Sequence, residues 1–376
     1  MNLIEPVSPG PRKAARLAHE PRLRTIETGR QIIQELPRLS QAQMRSTRRS
    51  NRPVHSKRSR IGIIYNARSH RNAKQASQSA VGSHVAVKAP ATRLELMLTL
   101  SRFAHDGIDL LIIAGGDGTV RDVLTMGHSV FGQDWPALAI LPSGKTNALA
   151  HDLQVPDDWS VLDVLRAQRS HRTIARSPMV VTPLDEPDAA PALGFVLGGG
   201  VFTHAIELGQ TAHRWGAFDA LAVATTTCWS LARCFVGELA DPWRRGSAMA
   251  IKLGASREPL ARSGRGARSH RQILLASTLY SLPAKLAPFG KPTAGLKALV
   301  VDHMNWRSLA NLPALLTGAT ITDSGVKGIH RFAERSFEIE TKDRLILDGE
   351  ALRPGRYLVH RGPDVEFLCA QTAVAT

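Results

Sequence analysis

The stretch LLIIAGGDGTV, residues 110–120, decides the fold of this chain. It begins as a continuous apolar run, which is typical of a strand buried on both faces. Three glycines within four positions then let the backbone take positive φ angles and approach a ligand closely. We expect a helix to follow this turn, with Thr119 as its cap and with N-terminal amides that favour a phosphate. An aspartate between glycines, here Asp117, is also compatible with tight-turn chemistry alone.

Apolar runs of the same kind recur on both sides of this stretch. The predicted strands are 61–65, 84–88, 109–114 and 137–141, and the predicted helices include 92–105 and 119–126. Strands that alternate with helices imply parallel βαβ units, so the first half is predicted to be an α/β domain with an open parallel sheet. Ligands bind beyond the carboxyl ends of the strands in such sheets.

A second glycine turn lies in LPSGKTNALAHDL, residues 141–153. Its Gly-Lys-Thr resembles the end of a nucleotide-triphosphate P-loop, but the glycine that a P-loop needs five residues before Gly144 is Ala139. The stretch is instead interpreted as a strand, a tight turn and a helix that starts at 146–147. Two neighbouring strand ends would then present paired glycine turns to one crevice. Lys145 either contacts a phosphate there or is simply solvated.

Length and composition indicate a globular protein of two domains. The chain has 376 residues, 43% of them hydrophobic, and its three cysteines form no CxxC pair and no metal-binding spacing. No uninterrupted apolar run approaches the roughly 18 residues of a membrane-spanning helix, and no apolar h-region of a signal peptide follows the first charges. A spanning segment is therefore not expected.

The positive charge is concentrated at the start of the chain. Residues 1–60 hold 14 Lys and Arg against 4 Glu, which gives +10 of the total +16. Because this composition buries little apolar surface, the extension 1–58 is predicted to be disordered. It is either a solvated tail or a segment attracted to anionic lipid headgroups. Nucleic acid is not expected as a partner, since the extension lacks aromatic residues that would stack on bases.

The second half has a different pattern. From about residue 173, short apolar runs alternate with Gly, Pro and Ser clusters, which favours a mainly antiparallel, β-sandwich-like domain. The runs are 179–182, 192–197, 248–253 and 272–278, and a segment of helical length, 203–235, interrupts them. The predicted organisation is an extension (1–58), an α/β domain (59–172) and a β-rich domain (173–376). Four arginines in a Gly/Ser-rich loop are candidates for contacts with acidic headgroups or are merely solvated: Arg262, Arg265, Arg268 and Arg271.

Three motifs in this order resemble the catalytic domain of the diacylglycerol kinase and sphingosine kinase family of lipid kinases. They are Asn66, the GGDGT turn at 115–119, and the GKTNALA turn at 144–150 followed by LQVP at 153–156. The GGDGT turn is only moderately specific, because NAD kinases and phosphofructokinases carry related turns. The ordered set is more specific, and the resemblance is clear over about 59–157.

The resemblance implies a nucleotide-binding first domain and ATP-dependent phosphorylation of a lipid hydroxyl with Mg²⁺. It implies that the residues around the nucleotide are Asn66, Gly115, Gly116, Asp117, Gly118, Thr119, Gly144, Thr146 and Asn147. A glutamate is common three residues after the threonine of GGDGT, and Asp122 stands at that position here.

An Asp-Gly-Glu turn at 348–350, directly after the apolar run 345–347, resembles a third feature of the family. Phosphoryl transfer needs positioning, charge neutralisation and a carboxylate that takes the hydroxyl proton. We expect Asp348 to be that base, Asp117 to be the second catalytic carboxylate, and Glu350 to bind magnesium. In isolation, Asp-Gly-Glu would be only a hairpin turn.

Ala67, His70 and Ala148 depart from common family patterns. The acceptor therefore stays open between diacylglycerol, which would give phosphatidic acid, and a sphingoid-type lipid. Two other classes also stay open, an NAD kinase-like small-molecule kinase and a non-catalytic lipid or nucleotide sensor. The expected partners are a lipid substrate and an anionic membrane surface, with a homodimer as a further option. The expected location is the cytoplasm, peripherally associated with the inner face of the membrane.

Overall fold

The structure is a computed structural model that describes residues 60–66, 84–144, 146–170, 172–201, 203, 245–263, 269–291, 294–304, 311–318 and 328–370. Several predictions fall outside these residues, namely those on the extension 1–58, on Ala67, His70 and Lys145, and on most of the helical segment 203–235. Within the described ranges, no helix has the length and apolarity that crossing a bilayer requires.

The first half alternates strands and helices. In chain order its elements are β1 (Ile61–Tyr65), β2 (Val85–Lys88), α1 (Arg93–Asp106), β3 (Leu110–Gly115), α2 (Asp117–Phe131), β4 (Ala137–Pro142), α3 (Ala148–Asp152), α4 (Val161–Arg169) and β5 (Thr173–Arg176).

The second half is dominated by strands. In chain order these elements are β6 (Met179–Pro183), β7 (Ala192–Gly194), β8 (Val196–Gly200), β9 (Ser247–Leu253), β10 (Glu258–Pro259), β11 (His270–Arg271), β12 (Ile273–Ser277), a 3-10 turn (Pro283–Lys285), β13 (Lys297–Val301), α5 (Leu312–Thr317), β14 (Ile329–Ala333), β15 (Ser336–Thr341), β16 (Leu345–Leu347), β17 (Glu350–Leu352), β18 (Gly355–Arg361) and β19 (Val365–Leu368).

The first sheet has the strand order β2-β1-β3-β4-β19-β5 in the described part of the chain. Strands β1 to β4 are parallel to their neighbours, and only β5 is antiparallel, to β19. Every residue of the central strand β3 is buried, which explains its uninterrupted apolar sequence. The predicted α/β fold with an open parallel sheet is confirmed.

The first sheet also includes a strand from the end of the chain. Strand β19 lies between β4 and β5, and Phe367 pairs with Leu138 of β4. The two strands are far apart in the sequence, so no local sequence pattern predicts that they pair. Because β5 belongs to the same sheet, we propose that the first domain runs through Arg176 rather than ending at residue 172, and that it includes β19.

The remaining strands form two antiparallel sheets. One has the order β10-β9-β15-β18-β6-β7, with β11 beside β9, and the other has the order β14-β13-β12-β8-β16-β17. Side chains of both sheets share one apolar core, in which Phe337 and Ile339 of the first meet Leu274 and Leu345 of the second. The β-sandwich-like second half is thus confirmed.

Two local details differ from the sequence prediction. Helix α2 begins at Asp117 rather than at Thr119, and Gly116 is its N-cap, because the carbonyl of Gly116 already accepts the N–H groups of Thr119 (2.9 Å) and Val120 (3.1 Å). The role of Thr119 as a helix cap was therefore wrong. The apolar run 192–197 is not one strand either, since the chain passes from one sandwich sheet to the other at Phe195.

Helix α2 and strand β7 hold the two halves together. The buried hydroxyl of Thr125 accepts the N–H of Leu193 (3.0 Å) and donates to its carbonyl (3.3 Å). Val180, Leu193 and Phe195 from the second half are buried in the same core cluster as the first sheet. The start of α2 and the crossing at Phe195 therefore have a fixed relation to each other.

Candidate active site

The two glycine turns touch each other. Gly116 follows β3 and Gly144 follows β4, and both strands end at the same edge of the sheet. A Cβ atom added to Gly116 would lie 2.8 Å from the Cα of Gly144, and one added to Gly144 would lie 2.7 Å from the Cα of Gly116. Glycine at both positions is what allows this backbone approach. The sequence predicted that the turns would share a crevice, and the structure brings them into direct contact.

Asn147 closes the second turn. Its backbone is left-handed (φ 46°, ψ 47°), a conformation in which asparagine is one of the more tolerated residues. Its side-chain Oδ1 accepts the N–H of Gly144 at 2.9 Å, and its Nδ2 donates to the carbonyl of Gly144 at 3.0 Å. This pair of hydrogen bonds fixes the turn, while the neighbouring Thr146 is exposed.

Asp117 faces the start of α3. Its Oδ1 accepts the N–H of Leu149 at 3.4 Å, and the amides of Asn147 and Ala148 also favour its charged form. Burial outweighs these hydrogen bonds, so the pKa of Asp117 is raised above its ordinary value. The first amides of α3 thus already have a carboxylate acceptor.

Asn66 and Thr119 contact each other beside the first glycine turn. The Nδ2 of Asn66 donates to the Oγ1 of Thr119 at 3.3 Å, and its backbone N–H donates to Ala114 at 3.1 Å. Thr119 packs directly against Gly115, where an added Cβ would lie 2.4 Å from the threonine Cβ. The predicted nucleotide residues from three separate segments therefore lie together at one sheet edge.

Asp348 occupies a two-residue hairpin turn between β16 and β17. Both turn residues have positive φ, 44° for Asp348 and 81° for Gly349, as a type I′ turn requires. The carboxylate accepts the N–H of Phe195 at 2.9 Å and that of Val196 at 2.8 Å, the point where the chain crosses between the sandwich sheets. Gly194 makes room for it, because an added Cβ would lie 2.5 Å from Oδ2.

The environment of Asp348 raises its pKa to about 7. Burial is the main cause, and the nearby negative charge of Asp117 adds to it, while the two amide hydrogen bonds and the positive charge of Arg121 oppose the shift. A carboxyl group with a pKa near neutrality is suited to accepting and releasing a proton. Electrostatic coupling also indicates that the two predicted catalytic carboxylates are near one another.

Four charged residues form a cluster beside this turn, which we call the arginine clasp: Arg93, Arg121, Asp122 and Glu350. The Oδ1 of Asp122 lies 3.2 Å from the Nη2 of Arg93 and 2.9 Å from that of Arg121. The Oε2 of Glu350 lies 2.8 Å from the Nη2 of Arg93 and 2.6 Å from that of Arg121. The clasp therefore joins α1 and α2 of the first half to the Asp-Gly-Glu turn.

The sequence interpretation missed both arginines of the clasp. Arg121 could have been noticed, because it is the charged residue that shares the buried face of α2 with Val120 and Leu124. Arg93 had no such signal, since it lies at the start of an amphipathic helix where charged residues are common. Asp122, noted only as a substitute for a glutamate, proves to bind both guanidinium groups.

The contacts of Glu350 do not fit a magnesium ligand. Two cationic groups already face its Oε2, and Mg²⁺ is normally held by carboxylates whose charge is available to it. In the described part of the chain, no group of three or more His, Cys, Asp or Glu side chains could hold a metal ion. The magnesium role of Glu350 stays a prediction that these contacts do not support.

The arginine loop of the second half has structural partners. Arg271 is buried in an ion pair with Asp302, and Arg262 donates to the carbonyl of His270 at 3.0 Å. Arg271 is therefore not available to lipid headgroups, and Arg265 and Arg268 lie outside the described residues.

Comparisons with known proteins find similarity to lipid kinases. A Cronobacter sakazakii protein named "Probable lipid kinase YegS-like" is 41% identical over 59 residues, which is 16% of this chain and 20% of that protein. The matched segment thus spans about a fifth of the relative's length. A solved structure of a diacylglycerol kinase from Bacillus anthracis superposes with a TM-score of 0.56 at 16% identity, covering 84% of this chain and 98% of that one. That likeness supports the fold alone.

The family model described as "Diacylglycerol kinase catalytic domain" matches residues 60–176. This range contains both glycine turns and ends with β5, the last strand before the sandwich. The resemblance drawn from Asn66, GGDGT and GKTNALA is confirmed over this range, and residues 60–176 of the chain match the model of the diacylglycerol kinase catalytic-domain family.

Proposed function

We propose that this protein is a lipid kinase that transfers the γ-phosphoryl group of ATP to a lipid hydroxyl. The observation that carries the proposal is the joint arrangement at one sheet edge. Two glycine turns in backbone contact lie there, and the partly buried carboxyl group of Asp348, whose pKa is about 7, is near enough for the charge of Asp117 in the first turn to act on it. Phosphoryl transfer depends mainly on positioning and electrostatics, which such a site can provide.

The glycine turns are proposed to bind the nucleotide. Backbone without side chains at Gly115, Gly116, Gly118 and Gly144 would let phosphate oxygens approach the main chain closely. Asn147 keeps the second turn in shape through its two hydrogen bonds to Gly144. Asn66, Thr119 and Thr146 are proposed to complete the nucleotide site. The nucleotide would arrive as MgATP, in which the metal ion would neutralise part of the phosphate charge.

Asp348 is proposed to accept the proton of the lipid hydroxyl. A hydroxyl group is a weak acid, so a base within hydrogen-bond reach helps as its bond to phosphorus develops. The N–H groups of Phe195 and Val196 orient the carboxylate. Asp117 is proposed as the second catalytic carboxylate, since its charge acts on Asp348.

The acceptor is proposed to be diacylglycerol, giving phosphatidic acid for phospholipid biosynthesis, or a sphingoid-type lipid. The β-rich half is proposed to bind it, with the reaction taking place between the two halves. A lipid acceptor resides in a membrane, so the enzyme has to visit a bilayer surface. The net charge of +10 in residues 1–60 supports peripheral attraction to anionic lipids at the cytoplasmic face. A homodimer stays part of the proposal.

The test is transfer of labelled γ-phosphate from ATP to diacylglycerol, sphingosine and ceramide in anionic mixed micelles, with products separated by chromatography. One labelled lipid is expected with the wild-type protein. Asp348→Asn and Asp117→Ala should abolish labelling while circular dichroism stays unchanged. Arg166→Met, which removes an exposed ion pair with Asp163 on α4, is a control that should label normally.

Other results would redirect the assignment. Labelling of a soluble acceptor such as NAD, with no lipid product, would favour a small-molecule kinase. ATP binding without transfer to any acceptor would favour a sensor. Full activity in Asp348→Asn would refute the role given to this carboxylate.

A further inference from the structure

The arginine clasp lies against the turn that carries Asp348, and its two arginines do different things. Among the described residues, Arg93 donates hydrogen bonds only to the carboxylates of Asp122 and Glu350. Arg121 contacts these two carboxylates and also the backbone, since its Nη1 donates to the carbonyl of Asp348 at 3.3 Å and lies 3.5 Å from that of Leu347. Of the two arginines, Arg121 alone therefore contacts the main chain of the turn.

The backbone conformation of the turn explains why it needs hydrogen bonds from outside to hold it. Asp348 has a φ of 44°, a region that non-glycine residues seldom occupy. Its carboxylate is fixed from one side by the amides of Phe195 and Val196. Its carbonyl is fixed from the other side by Arg121, which is 5% exposed and belongs to the first half of the chain. The two sets of hydrogen bonds together determine where the carboxylate points.

Glu350 completes the same arrangement. It pairs with both guanidinium groups through Oε2, while its Oε1 and the Nη1 of Arg93 are buried without a hydrogen-bond partner among the described residues. A cation that approached Glu350 would meet two guanidinium groups that already pair with its Oε2. The carboxylate is placed to anchor the guanidinium groups.

We propose that Arg121 is a positioning residue for phosphoryl transfer, which holds the Asp348 turn across the junction of the two halves, and that Glu350 is its anchor rather than a magnesium ligand. This inference rests on the proposed kinase function and assigns roles within that site. Arg121 is not proposed to touch the reacting atoms. It acts by keeping the Asp348 carboxylate within hydrogen-bond reach of the lipid hydroxyl.

Kinetics of Arg121→Met and Glu350→Gln test the proposal. A displacement of about 1 Å at a reacting group costs about 100-fold in rate, so we expect kcat of Arg121→Met to fall by about that factor while KM for ATP stays unchanged. Arg121→Lys, which keeps the charge, should recover part of the loss. The double variant should lose no more than Arg121→Met alone, because residues that act as one unit are not additive.

Magnesium dependence separates an anchor from a ligand. The magnesium concentration at half-maximal activity should be the same in Glu350→Gln as in the wild type. A tenfold or larger increase would overturn the assignment of Glu350. An unchanged kcat in Arg121→Met would overturn the assignment of Arg121.

Arg271→Met is a matched control for the loss of a buried arginine, since Arg271 is 4% exposed and pairs with Asp302 in the sandwich. It should lower the melting temperature without changing kcat of the folded protein. Equal losses of kcat in Arg271→Met and Arg121→Met would mean that Arg121 acts only through stability, which would overturn the proposal.

Amide hydrogen exchange provides a readout that does not need activity. If Arg121 holds the turn, the N–H groups of Phe195 and Val196, which donate to Asp348, should exchange faster in Arg121→Met but not in Arg271→Met. Absence of phosphoryl transfer by the wild-type protein would refute the kinase function, and the exchange measurement would still decide the positioning role. Unchanged exchange in Arg121→Met would refute that role.

Discussion

Replacing Asp348 with asparagine reveals how the site affects the ionisation of this carboxyl group. The pKa of Asp348 is raised from 3.8 to about 7, mainly by burial and further by the charge of Asp117. A carboxyl group with a raised pKa binds its proton more tightly in the folded chain than in the unfolded chain. Its stabilising contribution is therefore fully present below pH 3.8 and is lost as the pH rises to about 7. An asparagine side chain does not titrate, so the free energy of unfolding of the variant does not show this fall with rising pH.

The magnitude follows from the size of the pKa change. Moving a pKa from 3.8 to about 7 corresponds to about 4 kcal/mol of folding free energy. About 3 kcal/mol of this is lost between pH 5 and pH 8, where unfolding is easily measured. The substitution also has a cost that does not depend on pH, because the amide NH₂ cannot accept the N–H of Phe195 or Val196. That cost is about 1–3 kcal/mol for one buried donor left unpaired.

The assay is urea unfolding of both proteins at several pH values between 5 and 8, followed by circular dichroism. The free energy of unfolding of the wild type minus that of Asp348→Asn should fall by about 3 kcal/mol across this range. The pH-independent cost shifts the whole curve and leaves its slope unchanged. In an Asp117→Asn background the fall should be smaller, because one cause of the raised pKa is gone. A difference that stays constant with pH would refute the reasoning.

Three further substitutions test the candidate site and the contact between α2 and β7. Gly144→Ala puts a Cβ atom 2.7 Å from the Cα of Gly116, so we expect the turns to separate and ATP affinity to fall at least about tenfold by calorimetry; an unchanged Kd would contradict this. Asn147→Ala removes both hydrogen bonds to Gly144 and should weaken ATP binding in the same assay, whereas an effect on stability alone would argue against a role in shaping the turn. Thr125→Val removes both buried hydrogen bonds between Thr125 and Leu193, so urea unfolding should show a loss of about 1–3 kcal/mol, and wild-type stability would count against the contact between α2 and β7 as a link between the two halves.

Sequence patterns predicted those parts of the molecule that depend on neighbouring residues. Strand β3 follows from its apolar run, and the two turns follow from glycines directly after strands. Parallel strands end at the same edge of a sheet, so the closeness of Gly116 and Gly144 could also be anticipated. The start of α2 was placed two residues late, because a threonine is a common cap while Gly116 caps with its backbone alone.

The same patterns could not predict contacts between residues that are far apart in the sequence. Arg93 meets Glu350 across 257 positions of sequence, and β19 pairs with β4 from the end of the chain. Nothing local in either partner specifies the other, because many arginines would satisfy one glutamate equally well. The crossing at Phe195 was hidden for a similar reason, since an apolar run looks the same whether it stays in one sheet or passes between two.

The chemistry of the site depends on this non-local part. An aspartate in a solvated hairpin turn would have an ordinary pKa and would be fully ionised at neutral pH. Asp348 differs because its turn is packed against the Phe195 crossing and against Arg121 of α2. The crossing is in turn fixed to α2 through Leu193 and Thr125. The glycine turns can therefore bind a nucleotide through local structure, but a base with a pKa near neutrality exists only when both halves of the chain are packed together. Loosening the contact between α2 and β7 should for this reason impair phosphoryl transfer more than ATP binding.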